Sequence, residues 1–212
     1  MSKLLVATRN PGKQRELRAM LAELGLDLVF PDDLGLYERA DETGIEHADS
    51  FEGNARLKAQ YFAKLARLPT LAEDSGLEVF ALGGAPGVRS RRFALPSDDP
   101  RDQDAANNAE LLRRLAGAPA VRRGARYRCV VVYLTRFDGV PHPFEGMCAG
   151  RILEVARGSG GFGYDPLFFS DELAKAFGEA TPEEKAGVSH RGRAVRAFVE
   201  WYQTEGRVGS PP

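Results

Sequence analysis

The residues best suited to chemistry are two adjacent carboxylates, Glu73 and Asp74, which stand between apolar residues. An ionised carboxylate withdrawn from water is costly unless a neighbouring group neutralises it. The small residues Ser75 and Gly76 follow and leave room for a partner to approach the backbone. That partner is either an arginine or lysine in a structural ion pair, or a hard divalent cation such as Mg²⁺ with oxygen ligands. The pair by itself leaves both interpretations open.

A second candidate site is the segment Thr8-Arg9-Asn10-Pro11-Gly12-Lys13, which joins a predicted strand to a predicted helix. The N–H groups and the dipole at a helix N-terminus attract anions. Pro11 suits the first helical turn, Gly12 permits close approach, and Thr8 and Asn10 offer polar contacts. Lys13 places a positive charge where the dipole favours a negative one, which a bound phosphate would explain. The alternative is an ordinary turn with a solvated lysine, and the Walker A spacing is absent.

Lys58 lies in the apolar stripe of a second predicted helix, in register with Phe51, Ala55 and Phe62. A lysine in that position either extends to the rim of the helix or reaches a buried anion. Because this helix closely precedes the strand with Glu73 and Asp74, a second cation would suit both carboxylates and phosphates.

The third group of candidates lies in the last third of the chain. Residues 158–165 contain four glycines, the two aromatic residues Phe162 and Tyr164, and Asp165 at the end. Glycines let the backbone fold over a ligand, Phe162 offers a flat face for a base, and Asp165 accepts hydrogen bonds. A glycine-rich turn with a packed Phe162 is the alternative. Further on, a capping box from Thr181 to Glu184 would hold Lys185 rigidly, and Ser189 precedes the donors His190 and Arg191. The alternative interpretation of Arg191 is a charged residue on the protein surface.

The elements that position these residues follow from hydrophobic periodicity and capping signals. The chain opens with a βαβ unit and continues through a polar loop over residues 31–48 and a helix capped by Asp49 or Ser50. A loop containing Asp138-Gly139 joins two long strands in a predicted hairpin. The predicted strands cover residues 3–8, 26–30, 71–74, 79–82, 127–135 and 144–156, and a third helix covers roughly 102–115.

The composition of the chain limits the classes of partner and the cellular location that we expect. The 212 residues carry a formal charge of −1, with 28% charged and 43% apolar residues, so no basic field indicates a nucleic-acid partner. No apolar run approaches the roughly 20 residues that span a bilayer, and the N-terminus does not resemble a signal peptide. We therefore expect a cytoplasmic protein with reduced core cysteines, Cys129 and Cys148. We predict one domain over residues 1–208 and a frayed tail over 209–212.

Taken together, the motifs resemble those of the inosine/xanthosine triphosphate pyrophosphatases, house-cleaning enzymes that hydrolyse deaminated purine nucleotides. Each motif is modest, but seven in one order along nearly the whole chain are specific. The matching segments are Ala7–Lys13, Glu42-Thr43-Gly44, Phe51–Ala59, Glu73–Leu77, Gly83–Gly87, Gly160–Pro166, and Lys185 with Ser189–Gly192.

The resemblance implies an α/β fold: a mixed β-sheet core with flanking helices and two lobes around a central nucleotide-binding cleft. It implies a homodimer that uses Mg²⁺ to hydrolyse ITP, dITP and XTP to the monophosphate and pyrophosphate, without a nucleic-acid or membrane partner.

The resemblance also assigns roles to the matching residues. Glu42 and Asp74 would hold the metal, and Asp74 would serve as proton acceptor, with Asp74 or Glu73 orienting the attacking water. Lys13 and Lys58 would neutralise the phosphates, together with the N-terminus of the first helix. Substrate contacts are implied for Thr8, Arg9, Asn10, Pro11, Gly12, Lys13, Lys58, Ser75, Phe162, Gly163, Tyr164, Asp165, Lys185, His190 and Arg191.

Three other functions stay open from the sequence. A pyrophosphatase of the same fold for pyrimidine or modified nucleotides would differ in its substrate preference. A nucleotide sensor without hydrolysis predicts losses among Lys13, Asp74 and Lys185, all of which are present. A nucleic-acid binder is disfavoured by the charge balance.

Overall fold

A computed structural model describes residues 2–39, 42–99 and 102–206 of the chain. The predicted tail over residues 209–212 lies outside this described part. The one-domain organisation stays a prediction.

Within the described ranges, seven strands form one mixed sheet in the order β2-β1-β3-β4-β5-β6-β7. β1 pairs in parallel with both β2 and β3, whereas β6 pairs antiparallel with β5 and β7. The predicted α/β class with a mixed sheet is confirmed. The strands are β1 (Lys3–Val6), β2 (Asp27–Val29), β3 (Thr70–Val79), β4 (Gly124–Leu134), β5 (His142–Ile152), β6 (Phe168–Ser170) and β7 (Lys175–Ala176).

In the described residues five α-helices accompany the sheet, and a side-chain cap is observed at the start of three of them. Asn10 caps the first helix by accepting from the Lys13 N–H, Ser50 caps the second, and Thr181 with Glu184 forms the predicted capping box of the fourth. The helices are α1 (Pro11–Leu21), α2 (Phe51–Ala66), α3 (Gln103–Arg114), α4 (Pro182–Val188) and α5 (His190–Trp201).

The polar segment predicted as a loop over residues 31–48 contains two short 3₁₀ turns, Pro31–Leu34 and Glu42–Gly44. The predicted strand over 79–82 is wrong beyond Val79, because residues Phe80–Leu82 form a 3₁₀ turn that Gly83 ends in the left-handed region.

The chain divides into two compact units, each with its own apolar core. In unit 1, α1 and α5 contribute Leu17, Leu21, Val195 and Phe198 to a cluster with β1. In unit 2, Leu111 of α3 packs in a cluster with strand residues such as Leu77. Unit 1 consists of the described residues of Met1–Asp74, Cys129–Gly146 and Arg191–Pro212, and unit 2 of those of Ser75–Arg128 and Met147–His190.

Both cysteines are buried and free, as predicted. Across the described ranges, no helix combines the length and apolar character needed to cross a membrane.

Candidate active site

The turn between β1 and α1 is shaped by its own side chains. The Asn10 N–H donates to Thr8 Oγ1 (3.3 Å), and Gln14 Nε2 donates to the Thr8 carbonyl (3.0 Å). Asn10 Oδ1 in turn accepts from the Lys13 N–H (3.0 Å). The first turn of α1 carries no acidic residue, so the positive end of its dipole is not offset by a carboxylate of the helix itself. This geometry suits the predicted anion site.

Arg9 binds the acidic segment that follows β2. Its guanidinium donates to both carboxylate oxygens of Glu42 (2.6 and 2.8 Å), to the Leu36 carbonyl (2.6 Å) and to Asp32. The hydrogen bond to Glu42 is the largest cause that raises the pKa of Arg9. In this structure Arg9 fixes Glu42, the predicted metal ligand, and its contact with phosphate stays a prediction.

Glu73 is the centre of a buried ion-pair network in unit 1. Its Oε1 lies 2.8 Å from Lys13 Nζ and 3.5 Å from Arg191 Nη2, and its Oε2 accepts from the Cys129 thiol (3.4 Å). Burial raises the pKa of Glu73, but Arg191 and Lys13 outweigh it and hold that pKa well below its usual range. Glu73 is therefore ionised and paired, which matches the ion-pair interpretation of this carboxylate.

Asp74 has the opposite environment from its neighbour. It is 6% exposed, and Asn54 Nδ2 of α2 donates to its Oδ2 (3.0 Å). Burial raises the pKa of Asp74, and the nearby charge of Glu46 adds to this, while Lys58 and Lys13 lower it. The net shift is upward, which makes Asp74 a better proton acceptor than an ordinary aspartate.

Lys58 extends from α2 towards β3, one helical turn beyond Asn54. Its Nζ donates to the Glu73 carbonyl (3.2 Å) and forms an ion pair with Glu46. Burial lowers the pKa of Lys58, but Glu46, Asp74 and Glu73 outweigh it and the net pKa is raised. The Lys58 ammonium therefore pairs with the half-buried Glu46 carboxylate and feels the charges of Asp74 and Glu73, while its contact with phosphate stays a prediction.

Arg191 is the second residue of α5 and is 2% exposed. Its Nη1 lies 2.5 Å from Glu16 of α1, and its Nη2 faces Glu73. Burial lowers the pKa of Arg191, but the two carboxylates outweigh it and raise the pKa above its usual value. The surface-charge interpretation of Arg191 is wrong. Its predicted contact with the base stays a prediction, while its observed partners are carboxylates of unit 1.

In unit 2, the glycine-rich segment is folded around Asp165. The Asp165 Oδ2 atom accepts from the Phe162 N–H (2.8 Å) and from Lys185 Nζ (2.5 Å). The same ammonium lies 4.8 Å from the centre of the Phe162 ring. Gly161 has φ +74°, and a Cβ there would lie 2.0 Å from Asp165 Oδ2, so only glycine fits this close approach.

The remaining predicted residues of unit 2 are largely enclosed. Tyr164 is buried and donates to the Ser90 carbonyl (2.7 Å), and burial raises the pKa of its hydroxyl. The His190 ring stacks on Tyr127 with 4.5 Å between centres. Ser75, half-buried in β3, is the first residue of unit 2.

A family model described as the Ham1 family matches residues 4–201. The chain belongs to the Ham1 family. A dITP/XTP pyrophosphatase of Yersinia pseudotuberculosis is 45% identical over 201 residues, which cover 94% of this chain and 98% of that protein. One of Thermus thermophilus is 46% identical over 210 residues, covering 99% and 94%. The solved HAM1 protein from Coxiella burnetii superposes with a TM-score of 0.83 at 31% identity, covering 96% and 99%. The resemblance drawn from the motifs is confirmed.

The acidic residues of this Ham1 chain fit a magnesium ion held mainly by one carboxylate. Mg²⁺ in nucleotide enzymes takes one or two protein carboxylates and completes its shell with phosphates and water. Asp74 offers such a carboxylate, whereas Glu73 is occupied by cations and both oxygens of Glu42 accept from Arg9. Within the described residues, no group of three or more His, Cys, Asp or Glu side chains is placed to enclose a metal. Glu42 as the second ligand stays a prediction.

The structure also identifies contributors that sequence reasoning missed. Asn54, Glu46 and Glu16 contact the predicted residues Asp74, Lys58 and Arg191. Asn54 lies one helical turn before Lys58, so its helical spacing indicates that it shares the face of α2 that carries Lys58. Glu16 is 175 residues from Arg191, and nothing local indicates that pair.

Proposed function

We propose that this chain hydrolyses the deaminated purine nucleoside triphosphates ITP, dITP and XTP. Water attacks the α-phosphorus, the bond to the bridging oxygen between the α- and β-phosphorus breaks, and the products are the nucleoside monophosphate and pyrophosphate. The dITP/XTP pyrophosphatases that are about 45% identical over nearly the whole chain support this reaction.

The observation that carries the proposal is the grouping around Asp74 in unit 1. A buried carboxylate with a raised pKa has two lysines acting on its charge, Lys58 and Lys13, and Lys13 lies in the first turn of α1. A triphosphate needs positive charge along its chain, and its hydrolysis needs a group that orients water and accepts a proton. This grouping supplies both.

The lysines of unit 1 do the electrostatic part of the reaction. Lys13 and Lys58 pair with Glu73 and Glu46 in the structure, so phosphate oxygens share or replace these carboxylates when the substrate binds. Asp74 orients the water and takes up its proton. When bound, Mg²⁺ supplies positive charge that stabilises the pyrophosphate leaving group, with Asp74 as its protein ligand. Glu73 stays ionised and keeps Lys13 and Arg191 in place.

Base recognition is assigned to unit 2. The Phe162 ring offers a stacking face, and Lys185 and His190 supply hydrogen-bond donors that suit a 6-oxo purine. Adenine carries a donor at the same position, and a buried donor facing a donor is unfavourable. Arg191 is a further donor in the proposal, although its observed partners are Glu16 and Glu73.

The test is a pyrophosphate-release assay with ITP, dITP, XTP, GTP, ATP and dUTP, with and without Mg²⁺, on the wild type and on Asp74→Asn. We expect Mg²⁺-dependent release from the first three substrates and strongly reduced release by the variant. A preference for dUTP or ATP would overturn the substrate assignment. Tight nucleotide binding without pyrophosphate release would instead identify a sensor.

Magnesium, the homodimer and the cytoplasmic location are part of the proposal and rest on the family resemblance. Titration of the protein with Mg²⁺, Mn²⁺ and Ca²⁺ in the same assay identifies the preferred metal. Light scattering during size-exclusion chromatography distinguishes a 23.2 kDa monomer from a dimer of twice that mass. Fractionation of cells that produce the protein tests the location.

A further inference from the structure

The peptide groups of Gly163 are held from outside the glycine-rich segment by helix α3. The Gly163 N–H donates to Asp104 Oδ2 (2.8 Å), and the Gly163 carbonyl accepts from Asn108 Nδ2 (2.9 Å). Asp104 and Asn108 are one helical turn apart, so they lie on the same face of α3. Two side chains from a different element therefore bind both polar groups of one residue, and that residue directly follows Phe162.

Phe162 is consequently fixed from two sides. On its own segment, its N–H is bound by Asp165, which Lys185 holds in turn. On the other side, α3 holds the next peptide through Gly163, whose φ of +63° gives the backbone a conformation that few other residues adopt. The Phe162 ring is the predicted stacking face for the base. Its orientation thus depends on α3 as well as on Asp165.

The environment of Asn108 indicates that the role of its amide is the hydrogen bond to the Gly163 carbonyl. Its Oδ1 is buried and accepts no hydrogen bond from the described residues, while Nδ2 binds Gly163. A buried acceptor without a donor is unfavourable, so this amide does not serve stability alone. The Gly163 residue is half-buried, which lets water reach its carbonyl when the amide is removed.

We propose that Asp104 and Asn108 are positioning residues that set the affinity for the purine base by fixing Phe162 and Gly163. This rests on the proposed function, since it assigns base recognition to that segment. Neither side chain is proposed to touch the substrate. Their effect is on the free energy of nucleoside binding, whereas the phosphates are bound by residues of unit 1.

The experiment compares the double variant Asp104→Ala/Asn108→Leu with the wild type. We expect KM for dITP to rise about tenfold, with kcat changed by less than about twofold, because the loop must be ordered on binding. Competitive inhibition by IMP should weaken by the same factor. Inhibition by pyrophosphate should be unchanged, because pyrophosphate binds the unit 1 residues.

Two controls separate positioning from general damage. Asp104→Asn keeps an acceptor for the Gly163 N–H and should restore most of the affinity. Asp102→Ala removes the same charge two residues earlier, where the side chain makes no capping bond, and should leave KM unchanged. Thermal unfolding of Asn108→Leu should occur at or above the wild-type midpoint, because a buried unbonded oxygen is removed.

An unchanged KM in the double variant would overturn the inference. Equal weakening of IMP and pyrophosphate inhibition would also overturn it, since that is the signature of a structural defect. Failure of the proposed function looks different: the wild type itself would then not turn over dITP.

Discussion

Two neighbouring carboxylates on β3 have opposite electrostatic environments. Successive residues of a strand point to opposite faces, so Glu73 and Asp74 meet different partners. Glu73 meets Lys13 and Arg191, which lower its pKa, while Asp74 meets Asn54 and is dominated by burial, which raises its pKa. The pair thus divides into a permanent counter-charge and a proton acceptor.

The raised pKa predicts that Asp74→Asn is more stable than the wild type at pH 7. An acid whose pKa is higher in the folded state stabilises the protein below its unfolded pKa, and this contribution is lost as pH rises through the folded pKa. The amide of the Asp74→Asn variant does not ionise, so the variant does not lose this stability as pH rises. We expect a higher thermal midpoint, at about 2–4 °C per kcal/mol for a protein of this size, and at least about a hundredfold lower kcat.

Glu73→Gln is the matched control and should behave in the opposite way. Because the pKa of Glu73 is lower in the folded than in the unfolded state, its ionisation stabilises the protein at pH values above the unfolded pKa. This contribution is lost as pH falls through the folded pKa. Removing the charge leaves the buried Arg191 without this partner and should cost about 3–5 kcal/mol at pH 7. A variant Asp74→Asn that melts below the wild type at pH 7 would refute the assigned environment.

The charges around Asp74 also predict the pH profile. In the proposed mechanism activity requires ionised Asp74, so we expect kcat/KM to rise as pH passes upward through the pKa of Asp74. Lys58 lowers that pKa and Glu46 raises it. Lys58→Gln should therefore move the acidic limb of the profile to higher pH, and Glu46→Gln should move it to lower pH.

The measurement is kcat/KM for dITP across the acidic limb in buffers of constant ionic strength. Glu52→Gln, on the exposed side of α2, changes the charge by the same amount and should leave the limb in place. Shifts of the same sign in Lys58→Gln and Glu46→Gln would contradict the assignment of this limb to Asp74.

At the level of elements, the glycine-rich segment before β6 contains a close approach of Gly161 to Asp165. In Gly161→Ala the new Cβ would collide with Asp165 Oδ2 in a backbone conformation that alanine rarely adopts. Asp165 must then move away from Phe162 and Lys185. We expect KM for dITP to rise by about tenfold or more, from the loss of these charge-assisted bonds.

Gly187→Ala provides the control within the same unit. Nothing lies within 4 Å of the added Cβ, and the residue is helical with no positive φ. The substitution should leave KM unchanged and stabilise the protein by about 0.5–1 kcal/mol. Equal KM values for Gly161→Ala and Gly187→Ala would show that Asp165 does not fix the segment.

Elements with local signals were predicted well. The caps Ser50 and Thr181, the start of α1 at Pro11 and the hairpin loop at Asp138-Gly139 depend on neighbouring residues and are confirmed. For β3 the sequence predicts two pieces, residues 71–74 and 79–82, with Ser75 and Gly76 between them. β3 is one strand, Thr70–Val79, since pairing with neighbouring strands outweighs the weak strand propensity of these residues.

The sequence indicates the residue types of the candidate site but not their pairings. Lys13, Lys58, Glu73 and Asp74 could be found because each stands out against its local sequence. Their partners depend on tertiary packing: Arg191 meets Glu16 across 175 residues, and Asp104 meets Gly163 across 59. The short strands β6 and β7 were missed because two or three residues leave no periodicity to read.

For the whole molecule, stability depends on how α5 completes the core of unit 1. Phe198 is fully buried and contacts the rings of Tyr133, Phe144 and Tyr202 at 5.3–5.6 Å between centres. Phe198→Ala should lower the free energy of unfolding by about 3–5 kcal/mol, because it removes these contacts and leaves a cavity. Urea denaturation followed by circular dichroism measures this change.

Val140→Ala is the control for Phe198→Ala, because Val140 is 73% exposed and its truncation should stay within about 0.5 kcal/mol. Below its unfolding transition, Phe198→Ala should keep wild-type kcat, since its observed ring partners Tyr133, Phe144 and Tyr202 are not residues assigned to catalysis. A loss of kcat in the folded variant would tie this core directly to the reaction.

The segments of unit 1 come from the beginning, the middle and the end of the chain. During synthesis β1 and α1 precede α5, whose apolar side chains pack in the same cluster. The apolar side chains of β1 and α1 therefore stay uncovered until α5 has been made. Until then the nascent chain is a natural client for chaperones.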